Sequence, residues 1–274
     1  MSEKGGNKMN KIVDIGVNLT HKQFDPDREE VVKKAIEKGV TALIITGTSV
    51  RESKKAASYA KTMPGRLYST AGVHPHDAKT CRENTIEELR TLAMFPQVVA
   101  IGECGLDYDR DFSPREVQRK WFEEQIKLAE ELNMPLFLHE RAAHRDFKAI
   151  LKEHKDICKK AVVHCFTGTG GEMQAYLELG CSIGITGWIC DERRGEHLRT
   201  LVKRIPLKHL MIETDAPFLL PRNMSDKPNN RRNEPVFLTH IVEDIAKCLG
   251  KTTEEIKNIT YQNTLEFFGI EECC

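Results

Sequence analysis

Short apolar runs alternate with amphipathic stretches along the whole chain. Eight runs rich in β-branched and aliphatic residues have the length and composition of β-strands. They lie at residues 12–15, 42–46, 67–72, 98–102, 135–139, 161–164, 181–185 and 210–213. Strands that are apolar on both faces and separated by helices predict a parallel sheet.

Segments with apolar residues at helical spacing lie at 27–39, 113–133, 170–180 and 234–268. In the second segment, Ser113 is predicted to cap the helix and Pro114 to occupy its first turn. The last segment is interrupted near 250–253, so it predicts two helices, with Thr252 as the cap of the second. The chain therefore alternates strands and helices from one end to the other.

This alternation predicts one α/β domain. Eight strand–helix units in about 250 residues match the size of a TIM (β/α)8 barrel. An open doubly wound sheet is the alternative, but no GxGxxG follows the first strand and no Walker loop is present. We expect the barrel to span residues 11–270, with mobile tails at 1–10 and 271–274. A long stretch rich in Pro, Asn and Arg, residues 221–235, follows the eighth strand.

Composition narrows the environment and the partners. Lys plus Arg and Asp plus Glu both number 41, so the formal net charge is zero. The broad basic surface of a general nucleic-acid binder is therefore excluded, and any contact with a polyanion must be local, inside a cleft. Nine cysteines without a CxxC pair indicate reduced thiols, hence a cytoplasmic or nuclear protein. Because no signal-like or membrane-length apolar run occurs, we expect no membrane association.

Five of the predicted strands end on an imidazole or a carboxylate. These residues are His74, Glu103, His139, His164 and Asp215. A single histidine at a strand end is commonly a structural hydrogen-bond partner, but the carboxyl ends of barrel strands meet on one face. Burying five such groups without partners would be costly. Together they have the donors that Zn²⁺, Mn²⁺ or Mg²⁺ binds, so the pattern predicts a metal site.

Arginines form a second group of candidates. Arg141 lies two residues after His139 and would face the same way on an extended strand end. Arg222, Arg231 and Arg232 lie in the long loop after the eighth strand, where barrels often hold phosphate, and guanidinium groups fit phosphate oxygens. The alternative is an ordinary solvated, charged loop.

Other residues near the strand ends divide into stacking and packing candidates. Aromatic residues that could stack on bases are Tyr108, Phe112, Phe166, Trp188 and Phe218. Cys104 and Cys165 adjoin proposed ligands but would point the other way on a strand, so we expect them in the core. For His76, a solvated loop position and a place in the site are equally consistent with the sequence.

Seven motifs resemble those of the TatD-related deoxyribonucleases over most of the chain, from about Asp14 to Ile270. They are DIGVNLT, AGVHPHD, AIGECGLDYD, HCFTGT, GITGWICDERRG, IETDAP and RRNEP. The resemblance implies a divalent-metal-dependent nuclease, typically a 3′-5′ exonuclease on single-stranded DNA or RNA. It implies Mg²⁺ or Mn²⁺ as cofactor, with Zn²⁺ also compatible with the donors, and links to DNA repair or DNA fragmentation.

The resemblance also implies individual roles. Glu103, His139 and His164 match the metal ligands, and Asp215 matches the catalytic aspartate next to the metal. His74 matches the histidine that contacts the scissile phosphate or the attacking water. Catalysis would thus rest on Asp215, His74 and Glu103.

The chain also departs from the family pattern. Many relatives have His-x-His on the first strand, whereas Gly16 and Asn18 stand here. This weakens the case for a second ion and leaves Asn18 as a candidate phosphate contact. Glu140 stands where a cysteine is expected and should point away from the pocket on a regular strand.

Two other functions fit the same site. One is metal-dependent hydrolysis of an acyl bond, such as an aminoacyl-tRNA ester or a cyclic amide, although no strand ends on the lysine typical of many amidohydrolases. The other is a non-enzymatic scaffold with a vestigial metal site, which the replacement of the His-x-His pair suggests.

Overall fold

The computed structural model describes residues 11–272, and within this range eight parallel strands form one sheet in sequence order. The strands are β1 (Ile12–Val17), β2 (Val40–Ile45), β3 (Leu67–Ala71), β4 (Val98–Asp107), β5 (Leu136–Arg141), β6 (Ala161–Val163), β7 (Ser182–Ile185) and β8 (Leu210–Ile212). All eight predicted strands are present, each overlapping its predicted range.

The first and last strands of the sheet are brought together. Where they meet, the Asp215 amide donates to the Gly16 carbonyl over 2.9 Å, and the Asn18 amide donates to the Ala216 carbonyl over 2.7 Å. These bonds join the end of β1 to the segment after β8. The predicted (β/α)8 barrel is confirmed, and its carboxyl end gathers the segments that follow every strand.

The helices of the described range surround this sheet. They are α1 (Arg28–Glu37), α2 (Val50–Ala60), α3 (Thr85–Ala93), α4 (Arg115–Leu132), α5 (His144–Glu153), α6 (Gly170–Leu179), α7 (Glu196–Leu201), α8 (Leu238–Leu249) and α9 (Thr253–Phe268). Helices α2, α3, α5 and α7 lie outside the four segments that the sequence pattern predicted as helical. Thr252 caps α9 as predicted, because its hydroxyl accepts the Glu255 amide while the Glu255 carboxylate accepts the Thr252 amide.

One predicted cap is wrong. Ser113 makes no cap for α4; its hydroxyl accepts the Lys79 amide over 3.1 Å and donates to the His76 carbonyl over 2.8 Å. Ser113 therefore ties the loop after β3 to the loop after β4. Local spacing predicted that the Ser113 hydroxyl would cap the helix, but it bonds instead to Lys79 and His76, which lie more than 30 residues away in sequence.

The strand β4 is longer than predicted and carries a bulge. Pairing with β5 passes from Gly102 opposite Phe137 to Cys104 opposite Leu138, so Glu103 is an extra residue without an opposite number. Gly102 has φ +141°, and a Cβ there would lie 2.2 Å from the Phe137 carbonyl oxygen. Glycine is thus required where the two backbones approach. After the bulge the strand continues for four residues to Asp107.

The core has two parts. A large cluster packs the outer faces of the strands against the helices. A smaller cluster combines strand residues such as Ile15 and Met211 with Tyr261 and Phe268 of α9. Helix α9 therefore covers one end of the barrel with apolar side chains, and polar chemistry is left to the other end.

The described range leaves out most of the predicted terminal tails. The predicted tail at 1–10 and the last two residues of the predicted tail at 271–274 lie outside the described residues. Among residues 11–272, no helix has the length and apolar content needed to cross a membrane.

Candidate active site

The residues predicted from five strand ends lie in one cavity at the carboxyl end of the barrel. His74 follows β3, Glu103 is in β4, His139 is in β5, His164 follows β6 and Asp215 follows β8. All five line a cavity of about 750 Å³. The convergence that barrel topology predicted from residues 141 positions apart is therefore present.

Three imidazoles surround one carboxylate oxygen. Glu103 Oε1 lies 2.7 Å from His164 Nε2, 3.0 Å from His139 Nδ1 and 3.4 Å from His74 Nε2. The ligand atoms of His74, Glu103 and His139 all lie within 4.8 Å of one another. The bulge in β4 produces this arrangement, because it turns the Glu103 side chain into the cavity at the centre of the three rings.

Asp107 is a site residue that the sequence reasoning missed. Its Oδ2 lies 2.7 Å from His76 Nε2 and 3.3 Å from His139 Nε2. Its Oδ1 accepts the backbone amides of Asp109 and Arg110. His76, which the sequence left undecided, therefore belongs to the site. Glu103 and Asp107 are four residues apart and share a face only because β4 continues past its predicted end at residue 102.

Glu213 is the second missed residue. One oxygen, Oε2, lies 3.3 Å from His164 Nδ1, and the other accepts the Cys165 amide over 2.5 Å. A Cβ at Gly16 would lie 2.3 Å from Glu213 Oε2, and one at Gly184 would lie 2.5 Å from Oε1. Gly16 thus makes room for a buried carboxylate that orients His164.

Asp215 and Asn18 form the remaining wall. Asn18 Nδ2 donates to Asp215 Oδ1 over 2.9 Å. Asp215 has φ +54°, the left-handed region that aspartate tolerates better than most residues. Asn18 was predicted as a phosphate contact; it lines the cavity and fixes the orientation of the aspartate.

The electrostatics of the cavity follow from burial and mutual contact. Burial lowers the pKa of His74 to about 3, although the Glu103 carboxylate opposes that effect. Burial raises the pKa of Asp215 to about 7, with Glu103 and Glu213 adding to the rise and His164 opposing it. For His164 burial alone would lower the pKa, but Glu103 and Glu213 raise it well above its ordinary value.

The donor set fits a divalent cation. Within residues 11–272, the ion-pair partners of Glu103, Asp107 and Glu213 are all histidines, with no lysine or arginine within 4 Å. Against the effect of burial, Asp107 and Glu103 raise the pKa of His139, and Glu103 and Glu213 raise that of His164. A divalent cation would supply this positive charge directly. Carboxylate oxygen and imidazole nitrogen are also the donors that such ions take.

The predicted arginines divide between the cavity and the loop after β8. Arg141 lines the cavity and its Nη2 lies 2.9 Å from Asp109 Oδ2. Arg194 also lines it, with its guanidinium 4.4 Å from the centre of the Trp188 ring. Arg222 is half-exposed, 3.8 Å from Asp191, and Arg231 is exposed on a turn. Neither of these two belongs to the lining of the cavity.

Arg232 requires a correction. Only 8 % of its side chain is exposed, and its guanidinium binds both oxygens of Asp27 over 2.8 and 2.6 Å and Glu234 over 2.7 Å. A guanidinium committed to two carboxylates in a buried position does not contact substrate phosphate. The prediction for Arg232 is wrong, and the residue anchors the loop after β8 to α1.

The expectations for Cys165 and Glu140 have different outcomes. Cys165 lines the cavity instead of packing in the core, because the strand has ended and its backbone has φ +46°. Glu140 borders the cavity, but its carboxylate accepts the Ala143 amide and the Tyr176 hydroxyl of α6. These partners fit a side chain that points away from the pocket, so alternation holds at Glu140 within β5 and no longer applies at Cys165.

The aromatic candidates also separate by position. Trp188 and Phe218 line the cavity, and Phe112 is exposed with its ring 4.7 Å from that of His76. Phe166 is buried against Tyr176, and the Tyr108 hydroxyl donates to Asp146 over 2.9 Å. The first three have faces near the cavity, whereas the last two serve packing and hydrogen bonding.

The chain is similar to known proteins over most of its length. A protein of Pantoea vagans (strain C9-1) named 3′-5′ ssDNA/RNA exonuclease TatD is 52 % identical over 257 residues, which cover 94 % of this chain and 99 % of that protein. A protein of the same name from Shigella flexneri serotype 5b is 51 % identical over 257 residues, with 94 % and 98 % covered.

Solved structures give the same result. The crystal structure of YJJV, a TatD homolog from Escherichia coli K12, superposes with a TM-score of 0.87 at 26 % identity, covering 96 % of this chain and all of the other. The profile of the TatD-related DNase family matches residues 13–269. That family consists of metal-dependent hydrolases that cleave nucleic acid, and the carboxylate–imidazole cluster described above is a group that such a metal would bind. From sequence match, fold and site together, the chain belongs to the TatD-related DNase family.

Proposed function

We propose that this nuclease removes nucleotides from the 3′ end of single-stranded DNA, and of RNA, with Mg²⁺ or Mn²⁺ as its cofactor. The observation that carries the proposal is the convergence of three imidazoles on Glu103, beside Asp215, in a cavity whose carboxylates lack lysine or arginine partners. The names of the relatives at about half identity support the polarity and the substrate.

The residues that would hold the cation are Glu103, His139, His164 and Asp215. When bound, the cation polarises a phosphate oxygen and lowers the pKa of water. Zn²⁺ fits the same donors, since imidazole nitrogen suits it as carboxylate oxygen suits Mg²⁺ and Mn²⁺. The preference for Mg²⁺ or Mn²⁺ follows from the resemblance to the TatD-related deoxyribonucleases. Glu213 orients His164, and Asp107 orients His139, through the contacts described above.

Asp215 also acts on the substrate, together with His74 and two arginines at the rim of the cavity. Asp215, held by Asn18 through its Oδ1, is placed to accept the proton of the attacking water. His74 donates a hydrogen bond to the scissile phosphate. At the rim, Arg141 contacts a neighbouring phosphate as a rearrangeable partner, since its present ion pair with Asp109 is exposed. The exposed guanidinium of Arg194 contacts another phosphate, while its partner Asp191 stays buried.

The test is a timed digestion of a 5′-labelled 20-nucleotide single strand with Mg²⁺ or Mn²⁺. We expect a ladder that shortens from the 3′ end and releases nucleoside 5′-monophosphates. Asp215→Asn should lower the rate by about 10³-fold, while Asp226→Asn, in an exposed loop position, should leave it unchanged. Undiminished cleavage by Asp215→Asn would reject the assignment, and hydrolysis of an acyl ester without any ladder would favour the alternative acyl chemistry.

The catalytic domain comprises residues 11–270, and the protein works in the cytoplasm or the nucleus. The location is supported by the cysteines, because all seven within the described range are free thiols.

A further inference from the structure

A groove runs from the mouth of the cavity along α2. It is lined by Thr20, His21, Lys22, Asp25, Arg28, Arg51, Glu52, Lys54, Lys55, Ser58, Tyr59 and Thr62, and its volume is about 800 Å³. We call it the α2 groove. It shares His21 with the lining of the catalytic cavity, so the two spaces meet at that residue.

The α2 groove is basic although the chain as a whole is neutral. Five of its side chains are cationic and two are acidic. Lys22 is exposed and has no carboxylate within 4 Å among residues 11–272. Arg51, Lys54 and Lys55 are also exposed, and their partners Glu52 and Glu88 form surface ion pairs that are weak and easily exchanged. These side chains can turn toward a phosphate with only a small loss of ion-pair free energy.

An exposed aromatic ring stands at the junction of the two spaces. Phe218 is 46 % exposed, lines the cavity and contacts the His21 ring edge-on with 5.4 Å between centroids. A large apolar ring left open to solvent beside a polar cavity is a suitable platform for a base. The order along the path is therefore catalytic cavity, stacking ring and cationic groove.

We propose that the α2 groove carries the phosphates on the 5′ side of the substrate end, with Phe218 stacking the base at the junction. The proposal rests on the nuclease function proposed above and adds the path of the strand outside the cavity. Helix α2 has 11 residues and is about 16 Å long, enough for a few nucleotides of single strand.

The chain offers a matched pair of lysines for the test. Lys55 is 54 % exposed and pairs with Glu52 three residues earlier over 3.0 Å; Lys127 on α4 is 55 % exposed and pairs with Glu124 three residues earlier over 2.8 Å. Lys55→Glu and Lys127→Glu therefore change the same charge in the same local setting. Only the first lies in the groove. Thermal melts of both variants confirm folding.

The measurement compares a 20-nucleotide single strand with a trinucleotide, each at several salt concentrations with Mn²⁺. For Lys55→Glu we expect KM for the long strand to rise about tenfold, and the salt dependence of log(1/KM) to become shallower by about 0.7 for the lost contact. Cleavage of the trinucleotide should not change, because it does not reach the groove. Lys127→Glu should match the wild type on both substrates.

The outcomes separate the two proposals. If Lys55→Glu and Lys127→Glu behave alike on the long strand, or if Lys55→Glu weakens both substrates equally, the groove proposal is wrong while the nuclease function stands. If the wild type cleaves neither substrate, both proposals fail. Phe218→Leu, which keeps an apolar side chain and removes the ring, should raise KM for the long strand about tenfold; an unchanged KM would remove Phe218 from the path.

Discussion

Among residues 11–272, two clusters of metal-ligand residue types have similar spacing but differ in how their negative charge is balanced. His74, Glu103 and His139 lie in the cavity, and Cys190, His240 and Asp244 lie between α8 and the segment after β7. In each cluster one ligand atom per residue lies within 4.8 Å of the others. Spacing alone would therefore assign a metal to both.

Their surroundings distinguish them. Asp244 accepts a hydrogen bond from Asn223 Nδ2 over 2.5 Å and lies 3.4 Å from Lys247 Nζ and 3.9 Å from Arg199 Nη2. His240 Nε2 lies 2.7 Å from the Asn223 side-chain oxygen. The charge of Asp244 and the hydrogen bonds of His240 are thus satisfied within the protein. In the cavity, by contrast, the ion-pair partners of Glu103, Asp107 and Glu213 among residues 11–272 are all imidazoles. A cluster of ligand types indicates a cation when its negative charge is left uncompensated.

The largest expected effect comes from removing the central charge of the cavity. Glu103→Gln keeps the shape of the side chain but removes the oxygen charge around which three imidazoles converge. We expect the rate of DNA cleavage to fall by at least about 10³-fold and calorimetric Mn²⁺ binding to be lost. Cleavage within tenfold of the wild type would mean that Glu103 is not central to the site.

A smaller effect is expected behind the cavity, at Gly16. Gly16→Ala places a Cβ 2.3 Å from Glu213 Oε2 and 2.9 Å from Phe137 Cζ, so the carboxylate that orients His164 must move. Metal affinity should fall by about 10- to 100-fold, and the free energy of unfolding by about 1–3 kcal/mol. Gly171→Ala is the control, since its nearest neighbour atom would be 4.0 Å away. Unchanged metal affinity in Gly16→Ala would show that Glu213 has no role in orienting His164.

The smallest effect on nuclease function is expected at Asp244 in the second cluster. There a substitution should change the free energy of unfolding instead. Burial alone would raise the pKa of Asp244, but hydrogen bonds from Asn223 and Cys190 and the nearby His240 and Lys247 hold it below its ordinary value. A lowered pKa in the folded state stabilises the protein above the unfolded value, about 3.8. This contribution is lost as the pH falls through the folded value.

Asp244→Asn should therefore lower the free energy of unfolding by about 1–3 kcal/mol at pH 7, with a difference that shrinks below about pH 4. Urea unfolding at several pH values measures it, and Asp226→Asn, an exposed aspartate, is the control. Nuclease rate and metal affinity should stay as in the wild type. A loss of bound metal in Asp244→Asn would erase the distinction between the two clusters.

The sequence predicts the parts of this molecule that local pattern controls. Strand runs and the Thr252 cap are set by neighbouring residues, and the structure has them. The strand-end residues could be placed in one cavity because barrel topology brings strand ends together whatever their separation in sequence.

The remaining features depend on contacts that no local pattern encodes. Asp107 was missed because β4 was predicted to end at residue 102. The strand continues past a bulge at Glu103, and that bulge depends on the close approach of the Gly102 backbone to Phe137. Arg232 was misjudged because its partner Asp27 lies 205 residues away. Glu213 was missed because its space is provided by two glycines on other strands, Gly16 and Gly184.

The most direct test of the metal site is a crystal structure of the protein soaked in Mn²⁺, with anomalous scattering used to locate the ion. We expect an anomalous peak within coordination distance of Glu103, His139 and His164, and none at Cys190, His240 and Asp244. A peak at the second cluster with none beside Glu103 would contradict the rule that uncompensated carboxylate charge, rather than ligand spacing, marks the metal site.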